Sequence, residues 1–227
     1  MRVTIQANPA FAFGTISIDP GGEVHVEAGA MAAYSDGVDV ETKARGGVFA
    51  GLKRSMLGGE TFFINTFRSQ SGGTVSVAAD LPGDMTMITM DAAHALLVQS
   101  GSWIASDPGV DVDTKWGGSK TFFSGKGLFL LRCTGQGDVL VAAYGGILSM
   151  ALAPGQSYTL DTGHVVAFDE SVQFSVHKAG NWKTTVLGGE GLVTRFTGPG
   201  RLWLQTRSQN DLLDWLIPRL PQSKSDN

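Results

Sequence analysis

The sequence predicts an all-β fold of three tandem repeats in a pseudo-threefold body, closed by one short C-terminal helix. Two observations carry that prediction. An ordered series of motifs occurs three times, and 31 of the 227 residues are glycine, about twice the usual share of roughly 7%. The glycines fall at turn-like positions without a collagen period, which is the punctuation of many short strands. The leading motif is Gly37-Val38-Asp39-Val40-Glu41-Thr42-Lys43, closed by Gly58-Gly59-Glu60-Thr61-Phe62-Phe63. It recurs as Gly109-Val110-Asp111-Val112-Asp113-Thr114-Lys115, then Ser124-Gly125-Lys126-Gly127-Leu128-Phe129. A fainter copy is Ser171-Val172-Gln173-Phe174-Ser175-Val176-His177-Lys178, then Gly188-Gly189-Glu190-Gly191-Leu192-Val193.

Each element follows in the same order. Gly14-Thr15-Ile16-Ser17-Ile18 alternates apolar and polar residues as a half-buried strand does. Asp19-Pro20-Gly21-Gly22 is a turn, and Glu23-Val24-His25-Val26-Glu27 is the strand after it. The matching strands are Ala95-Leu96-Leu97-Val98-Gln99-Ser100-Gly101 and Ser157-Tyr158-Thr159-Leu160-Asp161. Apolar stretches follow at Met31–Tyr34, Trp103–Ala105 and Val165–Phe168, then the motif above, then strands at 61–66, 128–132 and 192–196. Gly-rich hairpins at 71–73, 135–137 and 198–200 lead into the last strand of each copy. Gly29, Gly101 and Gly163 are 72 and 62 residues apart, a period expected of supersecondary units that share a core. The expected organisation is one domain over 1–221, with repeats at about 14–85, 86–150 and 151–207. A helix is expected at about 208–217, where Leu212, Leu213, Trp215, Leu216 and Ile217 supply an apolar face, with a polar tail at 222–227.

Composition excludes several classes. Seventeen basic against 21 acidic residues give a net charge of −4 with no dense basic run, so nucleic acid is not an expected partner. One cysteine cannot form an internal disulfide, and no apolar run reaches the ~20 residues of a membrane span. The N-terminus carries no leader-like pattern, and a cytoplasmic protein is expected.

No catalytic motif stands out, so no catalytic residue, metal or cofactor is assigned. His25 and Glu27 share one strand face and, with His94, His164 or His177, are candidate ligands of a metal-dependent oxygenase-like β-helix enzyme, the alternative function. Their neighbours Val24 and Val26 take the opposite face, which leaves His25 and Glu27 facing water. Cys133 reads as a small buried hydrophobe. Asp39 with Glu41, and Asp111 with Asp113, read as solvated carboxylates offset by Lys43 and Lys115. Small-ligand binding between repeats is a further alternative.

The first copy has an insertion that the second lacks: Gly59 comes sixteen positions after Lys43, whereas Gly125 comes ten after Lys115. Within it Val48, Phe49, Leu52, Met56 and Leu57 surround the basic pair Lys53-Arg54. This 46–57 loop is the expected interaction site, either an exposed patch for a protein partner, a membrane surface or a second copy, or a plug over an end of the β body.

Gly29-Ala30-Met31, the segment from Gly46-Gly47 through Gly51-Leu52-Lys53-Arg54 to Phe63, and Gly145-Gly146-Ile147 resemble the bacterial relatives of the AIM24 family. Gly163-His164-Val165-Val166-Ala167-Phe168, Gly189-Glu190-Gly191-Leu192-Val193 and the stretch from Gly198 to Arg207 extend the resemblance. The resemblance implies TRAP-like repeats, a short form of the double-stranded β-helix, and homo-oligomerisation. For mitochondrial members it implies a link to inner-membrane organisation and respiratory-chain integrity, and it offers no catalytic residues to carry over. The expected function is a non-enzymatic scaffold or interaction protein, self-associating and touching a membrane or partner through residues 46–57.

Overall fold

The structure, a computed structural model, describes residues 1–44, 62–113, 129–178 and 192–221. It is all-β, with one short α-helix among the described residues. After a leading strand β1 (Arg2–Gln6) come β2 (Phe13–Ile18), β3 (Gly22–Glu27), β4 (Met31–Tyr34), β5 (Val38–Ala44), β6 (Phe63–Ser69) and β7 (Gly73–Ala78). The next six are β8 (Met85–Met90), β9 (Leu96–Gln99), β10 (Trp103–Ser106), β11 (Val110–Asp113), β12 (Leu130–Gly135) and β13 (Gly137–Ala142). The last six are β14 (Ile147–Leu152), β15 (Ser157–Asp161), β16 (Val165–Asp169), β17 (Gln173–Lys178), β18 (Leu192–Thr197) and β19 (Gly200–Gln205). Helix α1 (Gln209–Leu216) follows, and a 3-10 turn at Ile217–Arg219 comes after it.

Four antiparallel pairings recur in each set of six. The first and last strands pair as β2–β7, β8–β13 and β14–β19. The second and fifth pair as β3–β6, β9–β12 and β15–β18. The third adds to the last (β4–β7, β10–β13, β16–β19), and the fourth to the fifth (β5–β6, β11–β12, β17–β18). Two seams join the sets, β3 to β10 and β9 to β16, and they create two six-stranded sheets that each run through adjacent sets.

Backbone contacts stitch the sets together a second time. Ala12 N–H donates to the Gly83 carbonyl at 2.8 Å, Asp84 N–H to Gly145 at 2.8 Å, and Arg207 N–H to Tyr144 at 3.2 Å. Gly83 is required there, because a Cβ on it would lie 1.8 Å from the Ala143 carbonyl oxygen.

The core follows the alternation of the strands. One cluster gathers Ile16, Val24, Val26, Phe67, Val75 and Val77 from the first set, with Met85, Ile104 and Leu140 from the second. The middle cluster holds Trp103, Val112, Cys133 and Val141, and reaches from Ile64 to Trp203. In the last, Phe168 packs edge-on against Phe174 and Phe196, with ring centroids 5.3 and 5.1 Å apart. Because each cluster takes side chains from more than one set, the seams are apolar contacts as well as hydrogen-bonded ladders.

Several expectations shift. β1, β8 and β14 were not among the expected strands. The strand expected at 61–66 runs over Phe63–Ser69, and the one at 128–132 over Leu130–Gly135. The helix starts where expected, with Ser208 Oγ accepting from Asp211 N–H at 3.3 Å. Yet none of its residues is buried, and Leu213, Trp215 and Ile217 are exposed, so its apolar face is largely open.

Candidate functional site

Two features of the described residues bear on function, a cavity at the first seam and the two ends of the strand array.

The cavity, of about 260 Å³, lies where β3 and β7 of the first set meet β9 and β13 of the second. Glu27, Asp80, Gln99, Ser102, Tyr144 and Gln205 contribute its polar lining. Burial, with Asp80 adding like charge, pushes the Glu27 carboxyl up to about 8, so the neutral acid is the main form at neutral pH. Gln99 is 4% exposed, and its Oε1 has no hydrogen-bond partner in the described structure. Gln205 shows why space remains here. From the end of β19 it donates Nε2–H to the Gly163 carbonyl at 2.7 Å and accepts from Tyr144 N–H at 2.9 Å. The last residues of β7 and β13 are Ala78 and Ala142, too short to make such bonds, and both line the cavity.

The ends differ from the seams. β10 and β16 are each flanked by two strands, whereas among the described residues their counterpart β4 pairs only with β7. β3 and β9 are likewise flanked on both sides, whereas among the described residues β15 pairs only with β18. Exposure follows the missing neighbour. Met31 and Tyr34 on β4 are 37% and 50% exposed, while Trp103 and Phe168, at the matching places in β10 and β16, are 0% exposed. On β15 Tyr158 is 40% exposed, against 2% for Val24 and 1% for Leu96. Val40 on β5, beside β4 in the chain, is 42% exposed where Val112 is 3%.

The residues singled out in the sequence separate widely. Val48, Phe49, Leu52, Lys53, Arg54, Met56 and Leu57 lie outside the described residues. His25 does not face water: it is 7% exposed. β3 is sandwiched between β6 and β10, and Thr66 and Ser106 flank His25 across the ladder. The other histidines are engaged elsewhere: His94 with Asp91 at 2.7 Å, His164 with the Gln205 carbonyl at 2.7 Å, and His177 with Ser175 at 2.8 Å. No group of three His, Cys, Asp or Glu side chains assembles as a metal-ligand set among the described residues. Cys133 is fully buried, and burial with nearby Asp111 pushes its thiol up to about 12. Asp111 and Asp113 point outward from β11 while Val110 and Val112 point in. Glu41 meets Arg68 of β6, with Nη1 at 3.3 Å from its carboxylate, and Arg68 also binds Glu23. The cavity and the open ends had no single-residue signal in the sequence. The Ala78, Ala142 and Gln205 contrast could be found by aligning the three copies.

The family model of mitochondrial biogenesis AIM24 matches residues 3–207. The chain belongs to the AIM24 family. This AIM24 chain is 28% identical over 233 residues to an uncharacterised protein of Streptococcus pyogenes serotype M6, covering 99% of this chain and 93% of that one. It also resembles the crystal structure of a Streptococcus pyogenes protein, with a TM-score of 0.78, 27% identity, and coverage of 96% of this chain and 99% of the other. Among the described residues of this AIM24 protein, no helix is long and apolar enough to cross a membrane.

Proposed function

We propose that this AIM24 protein is a non-enzymatic, cytoplasmic scaffold of three TRAP-like repeats that acts by associating with further copies of itself. The observation that supports this reading is the pair of open strands β4 and β15, whose counterparts β10, β16, β3 and β9 are all paired on both sides. An unpaired strand edge with apolar side chains is a template for another chain, and natural proteins cover such edges or use them. The 46–57 loop, expected to meet a membrane or protein partner, lies outside the described residues and contributes nothing to this proposal.

Mass photometry and light scattering of the full chain across a dilution series test it. The expected result is a species heavier than the 23.9 kDa monomer that dissociates on dilution. Monomer at every concentration would overturn it.

A second reading, small-ligand binding between repeats, is favoured by the cavity beside Glu27 and Gln99. Native mass spectrometry of freshly purified protein should then show a co-purified small molecule, displaced when Glu27 is changed to Arg. A bare polypeptide mass rules this reading out.

A further inference from the structure

We infer that the two open edges occupy each other: β15 of one copy pairs antiparallel with β4 of the next, and Arg195 of the first is held by Asp36 of the second. This rests on the self-association reading and adds the contact residues and their register.

The two internal seams provide the template. At the first, Ala105 lies opposite Val26 and Ser106 opposite His25. At the second, Ala167 lies opposite Val98, Phe168 opposite Leu97 and Asp169 opposite Leu96. Counted from the turn glycines Gly29, Gly101 and Gly163, both seams use the same offsets. Carried to the free edges, those offsets place Ala33 opposite Leu160, Tyr34 opposite Thr159 and Ser35 opposite Tyr158. β4 already has the necessary shape. Its ladder to β7 breaks register between Met31 and Ala33, as β10 does between Trp103 and Ala105 and β16 between Val165 and Ala167.

The charges point the same way. At the second seam Arg132 binds Glu170 with both prongs, Nε at 2.6 Å and Nη2 at 2.8 Å. Arg132 sits on β12 opposite Leu97, and Arg195 sits on β18 opposite Thr159, the matching place in the third set. Glu170 and Asp36 hold matching places in the turns after β16 and β4. Arg195 is exposed and reaches only the Ser157 hydroxyl, at 3.3 Å, among the described residues. Asp36 is exposed as well. At the first seam the corresponding residues are Thr66 and Pro108, so arginine and acid are absent together. The third set carries the arginine, and the first set carries the acid, although no seam among the described residues joins them. A two-pronged arginine–carboxylate pair also fixes register and direction, which a bare edge does not.

The contact is head to tail, so each copy keeps one free β4 and one free β15 until the array closes on itself or grows.

Charge reversal tests it. R195E and D36R should each raise the dissociation concentration at least about tenfold, because like charges then face each other across the joint. The double variant R195E/D36R restores attraction and should return to within about threefold of the wild type. Both side chains are exposed, so circular dichroism and the thermal midpoints of the dissociated protein should be unchanged in all three variants. Single variants that assemble like the wild type, or a double variant as weak as the singles, would overturn this interface while leaving self-association intact. A wild type that is monomeric throughout removes the self-association reading and this contact together.

Discussion

Gln205 donates from Nε2 to the carbonyl of Gly163 at 2.7 Å, and it is the one last-strand residue whose side chain closes the end of its own set. Its Oε1 also satisfies Tyr144 N–H. Gln205→Ala leaves the buried Gly163 carbonyl unpaired, at a cost of about 1–3 kcal/mol, and takes its partner from the half-buried Tyr144 N–H. Urea unfolding should show a lower midpoint with an unchanged m-value. A midpoint within error of wild type would mean that water replaces both bonds.

Glu27 makes stability fall as pH rises. Its folded pKa, about 8, lies above the ordinary 4.5, so the unfolded chain gives up its proton first. The native state is therefore favoured least above the folded value. Stability should decline between about pH 4.5 and 8 and then level. Thermal midpoints of wild type and Glu27→Gln should diverge across that window, the variant being the more stable at its alkaline end. Parallel curves would place the carboxyl in water.

The Arg132–Glu170 pair works in the opposite direction. Arg132 holds the Glu170 carboxyl below its usual range, so this pair adds stability above the ordinary glutamate pKa and loses it as pH falls through the depressed one. Both side chains are about one-third exposed, and a double-alanine cycle should return only about 0.5–1 kcal/mol at neutral pH. Its coupling should fade in acid and in high salt. A coupling indifferent to both would not be ionic.

Phe168 is fully buried against Phe174 and Phe196. Phe168→Ala should cost about 3–5 kcal/mol by leaving a cavity in the last core cluster. Chemical denaturation reads this directly, and a loss below about 1 kcal/mol would mean the cluster collapses into the space.

Cys133 reports global opening. Buried and with its thiol pushed up to about 12, it should resist a thiol reagent in the native protein and react fully in denaturant. Labelling rates should track unfolding across a urea series. Rapid native labelling would contradict the packing around β12.

Residues whose environment is set within one copy were the most legible. Val110 and Val112 point inward and Asp111 and Asp113 outward, as alternation requires. The clean alternation of Gly14–Ile18 lies inside β2, and the Gly-rich hairpins separate β6 from β7, β12 from β13 and β18 from β19. β8 and β14 are harder to read because Met87 and Leu148 place apolar side chains on an exposed face, at 38% and 58%. β1 alternates Val3 and Ile5 with polar residues, but it has no counterpart in the other copies and so escapes a comparison of repeats. His25 reads as a surface residue because the strand that covers it, β10, belongs to the next copy. The cavity is legible only in contrast, through Ala78 and Ala142 where the third copy has Gln205. Register between strands tens of residues apart, on which the proposed Arg195–Asp36 contact rests, leaves no local pattern at all.

Helix α1 takes on a different meaning once copies are joined in a single direction. Leu213, Trp215 and Ile217 are 41%, 57% and 59% exposed in one chain, a patch too small to hold anything firmly by itself. In the head-to-tail array proposed above, that patch would recur once in every copy. Any weak affinity at a single helix would there add up to avidity, with the strand edges setting the spacing.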